Sequence, residues 1–358
     1  MKALFAACIF FCMTSIATAA QQAATVYSGA VLTEDVTWRG TILVKGFVVV
    51  APNATLRIDP GTVVRFTAAA AQQLPNLVVQ GRLHAAGTLE RPIILTSDRP
   101  RPTRGAWGGI VLLSTEKRNL LEQCRIEYAE TGIDLRYSTI TLKSVSIVQA
   151  QTALLSHDGV VHMTGGTVSD SDIGIEIHNS EFDGREITVA SCQHGYVSNK
   201  SAVLLSSPKI MNNQHTGFEA DDCRIKITGG EFSGNAVGTR ITGGEGQIVM
   251  SRFLSNSQTA LHLAGSRIKV QRCLFSGNSQ DALRTEDGRA LLLNNAFNSN
   301  GGYNLFNAGR EVVDARQNWW GTTDPSLIGQ KIYDAANDKN IGVVHLFPLL
   351  NEKPLLIP

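Results

Sequence analysis

His157 and His178 lie 21 residues apart at matching points of two alternating segments, and Asp158 follows the first of them. Two imidazoles beside a carboxylate form a donor set suited to copper or zinc. Asp221 and Asp222 are adjacent carboxylates, with His194 upstream and Lys226 downstream. Acid–base chemistry on a sugar uses one carboxylate as acid and another as base; proton abstraction beside a carboxylate uses a basic residue with calcium-bound carboxylates. A third line contains Asp134, Glu176, Glu219, Arg240 and His262, acidic at one end and basic at the other. It is a candidate ligand-binding stripe. Whether these groups meet depends on the elements that carry them.

Those elements repeat. Small residues recur at Gly132, Ala153, Gly174, Gly195, Gly217, Gly238, Ala260 and Ala282, in steps of 21 or 22 residues, and Asn304 continues the series. A fixed period of this length marks a solenoid, whose units bury their apolar faces only by stacking. Within each unit, short apolar–polar alternations such as "CRIEYAETGIDL" and "STITLKSVSIVQ" are separated by Gly, Asn, Asp and Ser. Period two with turn residues means strands. Three strands and three turns fill one coil, and coils pair along the axis at roughly 4.8 Å.

Stacking predicts ladders. An inward line runs Ile126, Ile147, Val168, Val189, Ile210, Phe232, Phe253, Phe275 and Phe297. A second runs Ala129, Ala150, Ser171, Cys192, then Asn213, Asn235, Asn256, Asn278 and Asn300, whose amides can bond one to the next. In this register His157 and His178 occupy adjacent coils, roughly 5 Å apart in backbone.

The first residues read as a secretory leader: Lys2, an apolar run from Ala3 to Ile16, and the small-x-small site Ala17-Thr18-Ala19. Residues 1–20 are assigned to it, and the remainder is expected to be exported, to periplasm or cell exterior, with no further membrane-spanning segment. Net charge is +1 and only 18% of residues are charged, which offers no electrostatic case for nucleic acid. Cys124, Cys192, Cys223 and Cys273 remain after processing. The coil register separates them beyond disulfide reach, so four reduced, mostly buried thiols are expected.

These features resemble the right-handed parallel β-helix repeat proteins of bacterial envelopes, with pectate-lyase-like architecture. "NATLRIDPGTVVRF" (53–66) and "LVVQGRLHAAGTLERPIILTS" (77–97) look like their entry coils, and "NWWG" (318–321) with "GVVHLFPLL" like their closing segment. The resemblance implies an all-β, single-stranded right-handed parallel β-helix with terminal caps. An N-terminal cap with the first coils spans 21–109, regular coils 110–317 and a closing segment 318–358, with Trp319, Trp320, Phe347 and Pro348 over the last coil. Enzymes of this fold include pectate lyases, polygalacturonases and uronate epimerases, which bind acidic polysaccharide along an outer sheet face. "QHG" (193–195), "DD" (221–222) and the two "RIK" segments (224–226, 267–269) look like polygalacturonase motifs. Here the histidine precedes the Asp pair, and no Asn-x-Asp partner occurs.

From Gly132 to Asn304 no coil has residues to spare for a groove wall. The only long loops fall at 67–76 and 97–106. The expectation is therefore a non-catalytic envelope or extracellular binding or scaffold protein, contacting carbohydrate or an envelope protein and needing no cofactor. The alternatives are a polysaccharide lyase or hydrolase built on Asp221, Asp222, His194 and Lys226, and a periplasmic metal-handling module built on His157, His178 and Asp158. Calcium, copper or zinc would enter only with those alternatives.

Overall fold

The computed structural model describes residues 24–69, 73–115 and 117–354; the leader and its cleavage site fall outside them. The chain winds into a right-handed parallel β-solenoid of about 13 turns. A regular coil carries three strands, as in Thr131–Arg136, Thr139–Lys143 and Ser146–Val148. Repeated coil upon coil, they build a first, a second and a third face. The second face is a 14-stranded sheet. The other two merge into one 25-stranded sheet because the long strand Thr41–Val50 pairs with Val63–Thr67 through one half and with Asn76–Val79 through the other.

The corners make the winding possible. Between first and second faces the chain turns at Tyr137, Asp158, Asn179, Lys200 and Asp222, whose φ angles are 49°, 51°, 47°, 48° and 50°. One residue in the left-handed region between two extended segments redirects the strand without a loop. Gly243 and Gly265 take the same role at φ 61° and 57°, where glycine avoids the Cβ clash. The second corner repeats the device at Ser144, Glu186, Ser207, Met250 and Arg272, and the third at Gln149, Asp170, Ser191, Asn212 and Ser255.

The residue after a left-handed position points inward, and where it is Ser, Asn or Cys its side chain commonly bonds to the neighbouring coil. At the third corner Asn213, Asn235, Asn256, Asn278 and Asn300 form the amide ladder, with Nδ2 to Oδ1 distances of 2.9, 3.3, 3.0 and 2.9 Å. Each Oδ1 from Asn235 onward also accepts the backbone N–H of the asparagine one coil before. Cys192 stands in this ladder as expected, its N–H donating to Asn213 Oδ1 at 3.0 Å. A second ladder at the second corner, Asn295 to Asn318 at 3.0 Å, was not read from the sequence.

The aliphatic-to-phenylalanine line is continuous in register from Ile126 to Phe297. Phe232, Phe253, Phe275 and Phe297 stack at centroid spacings of 5.0, 4.7 and 4.9 Å, with planes within 12°. The small-residue column is sterically required. A Cβ on Gly217 would sit 2.7 Å from the Gly238 carbonyl oxygen of the next coil. All four cysteines are free and buried. Burial pushes the Cys124 and Cys273 thiols up to about 12 and Cys192 to about 11.

At the C-terminal end Trp320 continues the stack, 4.6 Å from Phe297 and tilted by 7°. Trp319 instead bridges to Ala296. The short helix Pro325–Gly329, capped by Asp324, buries Ile328 over the last coil. Lys331 Nζ then donates to the carbonyls of Asn300, Gly301 and Gly302 at 3.1, 3.2 and 3.0 Å, filling the place of a further coil's donors. Phe347 is 64% exposed, so the sequence-based expectation that it covers the last coil does not hold; the helix and Lys331 do that work. At the opposite end Trp38 is fully buried against Tyr27, with centroids 5.3 Å apart.

Phe253→Ala removes an inner ring of the stack that runs from Phe232 to Trp320 and should lower unfolding free energy by about 3–5 kcal/mol in urea denaturation. Tyr196→Phe should act oppositely. The Tyr196 hydroxyl is buried without a hydrogen-bond partner, so its removal should stabilise by about 1 kcal/mol in the same measurement.

Candidate functional site

On a strand, residues two apart share a face, so the outward side of the first face carries parallel columns. One runs Asp134, Leu155, Glu176, Val197, Glu219, Arg240, His262, Arg284, Phe306 and Tyr333 in unbroken register. Its neighbour, two residues along, runs Arg136, His157, His178, Asn199, Asp221, Thr242, Ala264 and Glu286.

The two columns neutralise each other. Arg136 grips both oxygens of Asp134, the closest contact being 2.7 Å. His178 Nε2 meets Glu176 at 2.9 Å, and Arg284 Nε donates to Glu286 at 2.9 Å. Arg284 also lies 4.5 Å over the Phe306 ring, which stacks on Tyr333 at 4.3 Å. In such a ladder the ring faces are covered by neighbours and the edges look outward, unlike a platform on which a sugar lies flat. Only Glu219 and Arg240 of the predicted stripe make no ion pair or side-chain hydrogen bond among the described residues.

His157 and His178 do sit one above the other, centroids 4.7 Å apart and planes within 10°. Face-to-face stacking turns their nitrogens sideways, and Glu176 already engages Nε2 of His178. Asp158 is the left-handed corner residue beyond them. Among the described residues no three or more His, Cys, Asp or Glu side chains are grouped to hold a metal ion.

The candidate catalytic groups are dispersed. His194 begins its first-face strand beside His215, centroids 5.0 Å apart. Asp221 ends the strand of the next coil, paired with Asn199, whose amide donates to it at 3.0 Å. His194 and Asn199 are five residues apart on an extended strand, so His194 and Asp221 are separated by roughly 16 Å. Asp222 is at the corner, and Lys226 projects from the second face.

The second face shows what the sequence reading passed over. Its outward columns run Glu181, Ala202, Arg224, Glu245, Arg267 and Asp183, Leu204, Lys226, Gln247, Lys269. Arg289 extends the first, since its N–H bonds Ser266 as that of Arg267 bonds Gly244. Among the described residues Arg224, Lys226, Arg267, Lys269 and Arg289 make no ion pair and no side-chain hydrogen bond. Five free cations thus face solvent with Glu245 as the one carboxylate between them in these columns. The signal was available in the steps of 21 and 22 from Arg224 to Glu245, Arg267 and Arg289, but alternating polar-Ile-polar is also the pattern of any exposed strand.

The long turn 98–106 lies along the third corner rather than standing over a separate pocket. The N–H groups of Gly105 and Ala106 bond Ala129 and Tyr128 of the next coil, and Arg104 reaches three coils along to Asp172 at 2.5 Å. No helix among the described residues is long and apolar enough to cross a membrane.

His262 is half-buried between Arg240 and Arg284. Its Nε2 stands 3.5 Å from Glu286 Oε1 and makes no hydrogen bond. Burial, then the two arginines, hold its pKa below the usual 6.5, against the pull of Glu286. Burial would raise Glu286, but Arg284 and His262 together bring it below the usual carboxylate value. Because folded His262 resists protonation, the unfolded chain takes up the proton first. Stability should fall as pH drops from about 6.5 towards the folded pKa. In urea titrations at pH 7.5 and 5, His262→Gln should lose less stability on acidification than the unsubstituted chain.

Residues 29–138 match the family described as pectate-lyase-like beta helix domain, and residues 173–319 that described as right-handed beta helix region. No curated protein matches the sequence. Among solved structures, a variant of the periplasmic alginate epimerase AlgG is similar at 12% identity, covering 89% of this chain and 78% of that one, with TM-score 0.49. The A-module of mannuronan C-5 epimerase AlgE6 of Azotobacter vinelandii is similar at 11% identity, covering 88% and 91%, with TM-score 0.35.

Proposed function

We propose that this chain, a member of the right-handed parallel β-helix proteins with pectate-lyase-like architecture, is an exported, non-catalytic protein that binds an acidic polysaccharide along the second face. The observation that carries the reading is the pair of columns holding Arg224, Lys226, Arg267, Lys269 and Arg289. Successive positions repeat at roughly 4.8 Å along one axis, and the cations have no internal partner. A linear polymer of carboxylates laid along that axis meets cations in the coils of Arg224, Arg267 and Arg289, with only the Glu245 coil between them lacking one, and it does so without bending. The first-face stripe of Asp134, Glu176, Glu219, Arg240 and His262 has a lesser part, because Asp134 and Glu176 are engaged by Arg136 and His178.

The dispersal of Asp221, Asp222, His194 and Lys226 supports binding over cleavage or epimerisation. The stacking of His157 on His178, with Glu176 on the second ring, likewise ranks metal handling below it.

The test is affinity electrophoresis and calorimetry with polygalacturonate and alginate, against neutral dextran. Exposed charge contacts contribute up to about 1 kcal/mol each. Arg224→Ala with Arg267→Ala and Arg289→Ala should therefore weaken acidic-polymer binding about tenfold or more. Arg57→Ala, near the N-terminal end of the same face, should not. Rising salt should weaken binding, and no new reducing ends or unsaturated products should form. Unchanged affinity in the triple variant, or turnover of either polymer, would overturn the proposal.

A further inference from the structure

Upstream of the basic columns the second face reverses sign within two coils. Glu181 and Arg224 occupy the same column with only Ala202 between them, and Asp183 and Lys226 the same column with Leu204 between. Two coils separate each acid from its cation by roughly 9–10 Å in backbone, and neither Glu181 with Arg224 nor Asp183 with Lys226 forms an ion pair. Ala202 is far shorter than the side chains on either side, so a hollow of about 420 Å³ opens over Val160, Ala202 and Leu204. His162 lines the same side of the hollow, beside Asp183. A second hollow of about 320 Å³ continues around the first corner past Lys200 and Asp222, sharing Glu181, Ala202 and Arg224 with the first.

The two walls select by charge. An anion alone meets Glu181 and Asp183, and a cation alone meets Arg224 and Lys226. A molecule with one charge of each sign and a short apolar body matches both walls and the floor. Asp183 is partly engaged by Arg185 at 3.1 Å, which leaves Glu181 as the main acceptor for an ammonium group. We propose that this hollow binds a zwitterion of dipeptide size: its ammonium towards Glu181 and Asp183, its carboxylate towards Arg224 and Lys226, and an apolar side chain on Ala202 and Leu204. The site differs in ligand class from the polysaccharide surface: it shares Arg224 and Lys226 with that surface, but Glu181, Asp183 and the Ala202 floor belong to it alone, and Arg267, Lys269 and Arg289 have no part in it.

The probe is the dipeptide alanyl-leucine, titrated into the full chain and followed by calorimetry and by amide shifts of the second-face strands. N-acetyl-alanyl-leucine and alanyl-leucine amide are the blocked controls. The free dipeptide should bind with a Kd on the order of 1 mM, and each blocked form at least fivefold more weakly. Ala202→Phe fills the hollow and should abolish binding while leaving the thermal transition in place. Glu181→Gln, which preserves shape and cannot unfold an exposed strand position, should remove the preference for the free over the acetylated dipeptide. Equal affinity for free and blocked peptides, retained binding in Ala202→Phe, an unaltered preference in Glu181→Gln, or no binding at 10 mM would each overturn the proposal. Absence of acidic-polysaccharide binding by the unsubstituted chain, with dipeptide binding present, would count against the previous reading only.

Discussion

A single residue in left-handed conformation, followed by an inward residue that is often Ser or Asn bonded to the neighbouring coil, recurs at all three corners. It is the constraint on which the molecule depends. If one corner opened by a residue, the following strand would present its other face and bury its charges. Register and corner are therefore one problem, solved locally and repeated. The asparagine ladder shows the solution most fully. Asn256 accepts from the backbone N–H of Asn235 and from its amide, and donates both to the Phe232 carbonyl and to Asn278. A buried amide with every bond made holds the corner angle more tightly than apolar contact can.

Legibility in the sequence followed from how much each feature is tied to that repeat. The inward line from Ile126 to Phe297 and the third-corner ladder were readable residue by residue, since stacking forces equivalent positions to carry equivalent chemistry. The buried, reduced cysteines followed from the same register. The closing segment was readable only in part. Trp320 obeys the stack, but the helix Pro325–Gly329 and the ammonium of Lys331 are unique events with no repeat to announce them, and the exposure of Phe347 could not be foretold from its apolarity.

The candidate sites were harder to read for a related reason. A column assembled by stepping along the sequence gives the neighbours of a side chain across coils but not its partner within the strand. Asp134 and Glu176 looked like an acidic stripe, yet Arg136 and His178, two residues on, engage them. On the second face the same spacing has the opposite outcome. The residues two along from Arg224 and Arg267 are lysines of like charge, so nothing within the strand neutralises either. Free charge on this fold is decided by the i and i+2 pair, and the first face and the second differ in that pairing more than in composition.

The inter-coil bonds all run parallel to the long axis, and this has a mechanical consequence. A pull on the two chain ends loads one coil at a time instead of shearing whole sheets together. Each coil that peels away would release roughly 70 Å of extended polypeptide while shortening the rod by under a tenth of that. A protein anchored at one end and holding cargo near the other would thus yield in even steps under tension, and could rewind from the surviving end, whose outermost coil is already shaped as the template for the next.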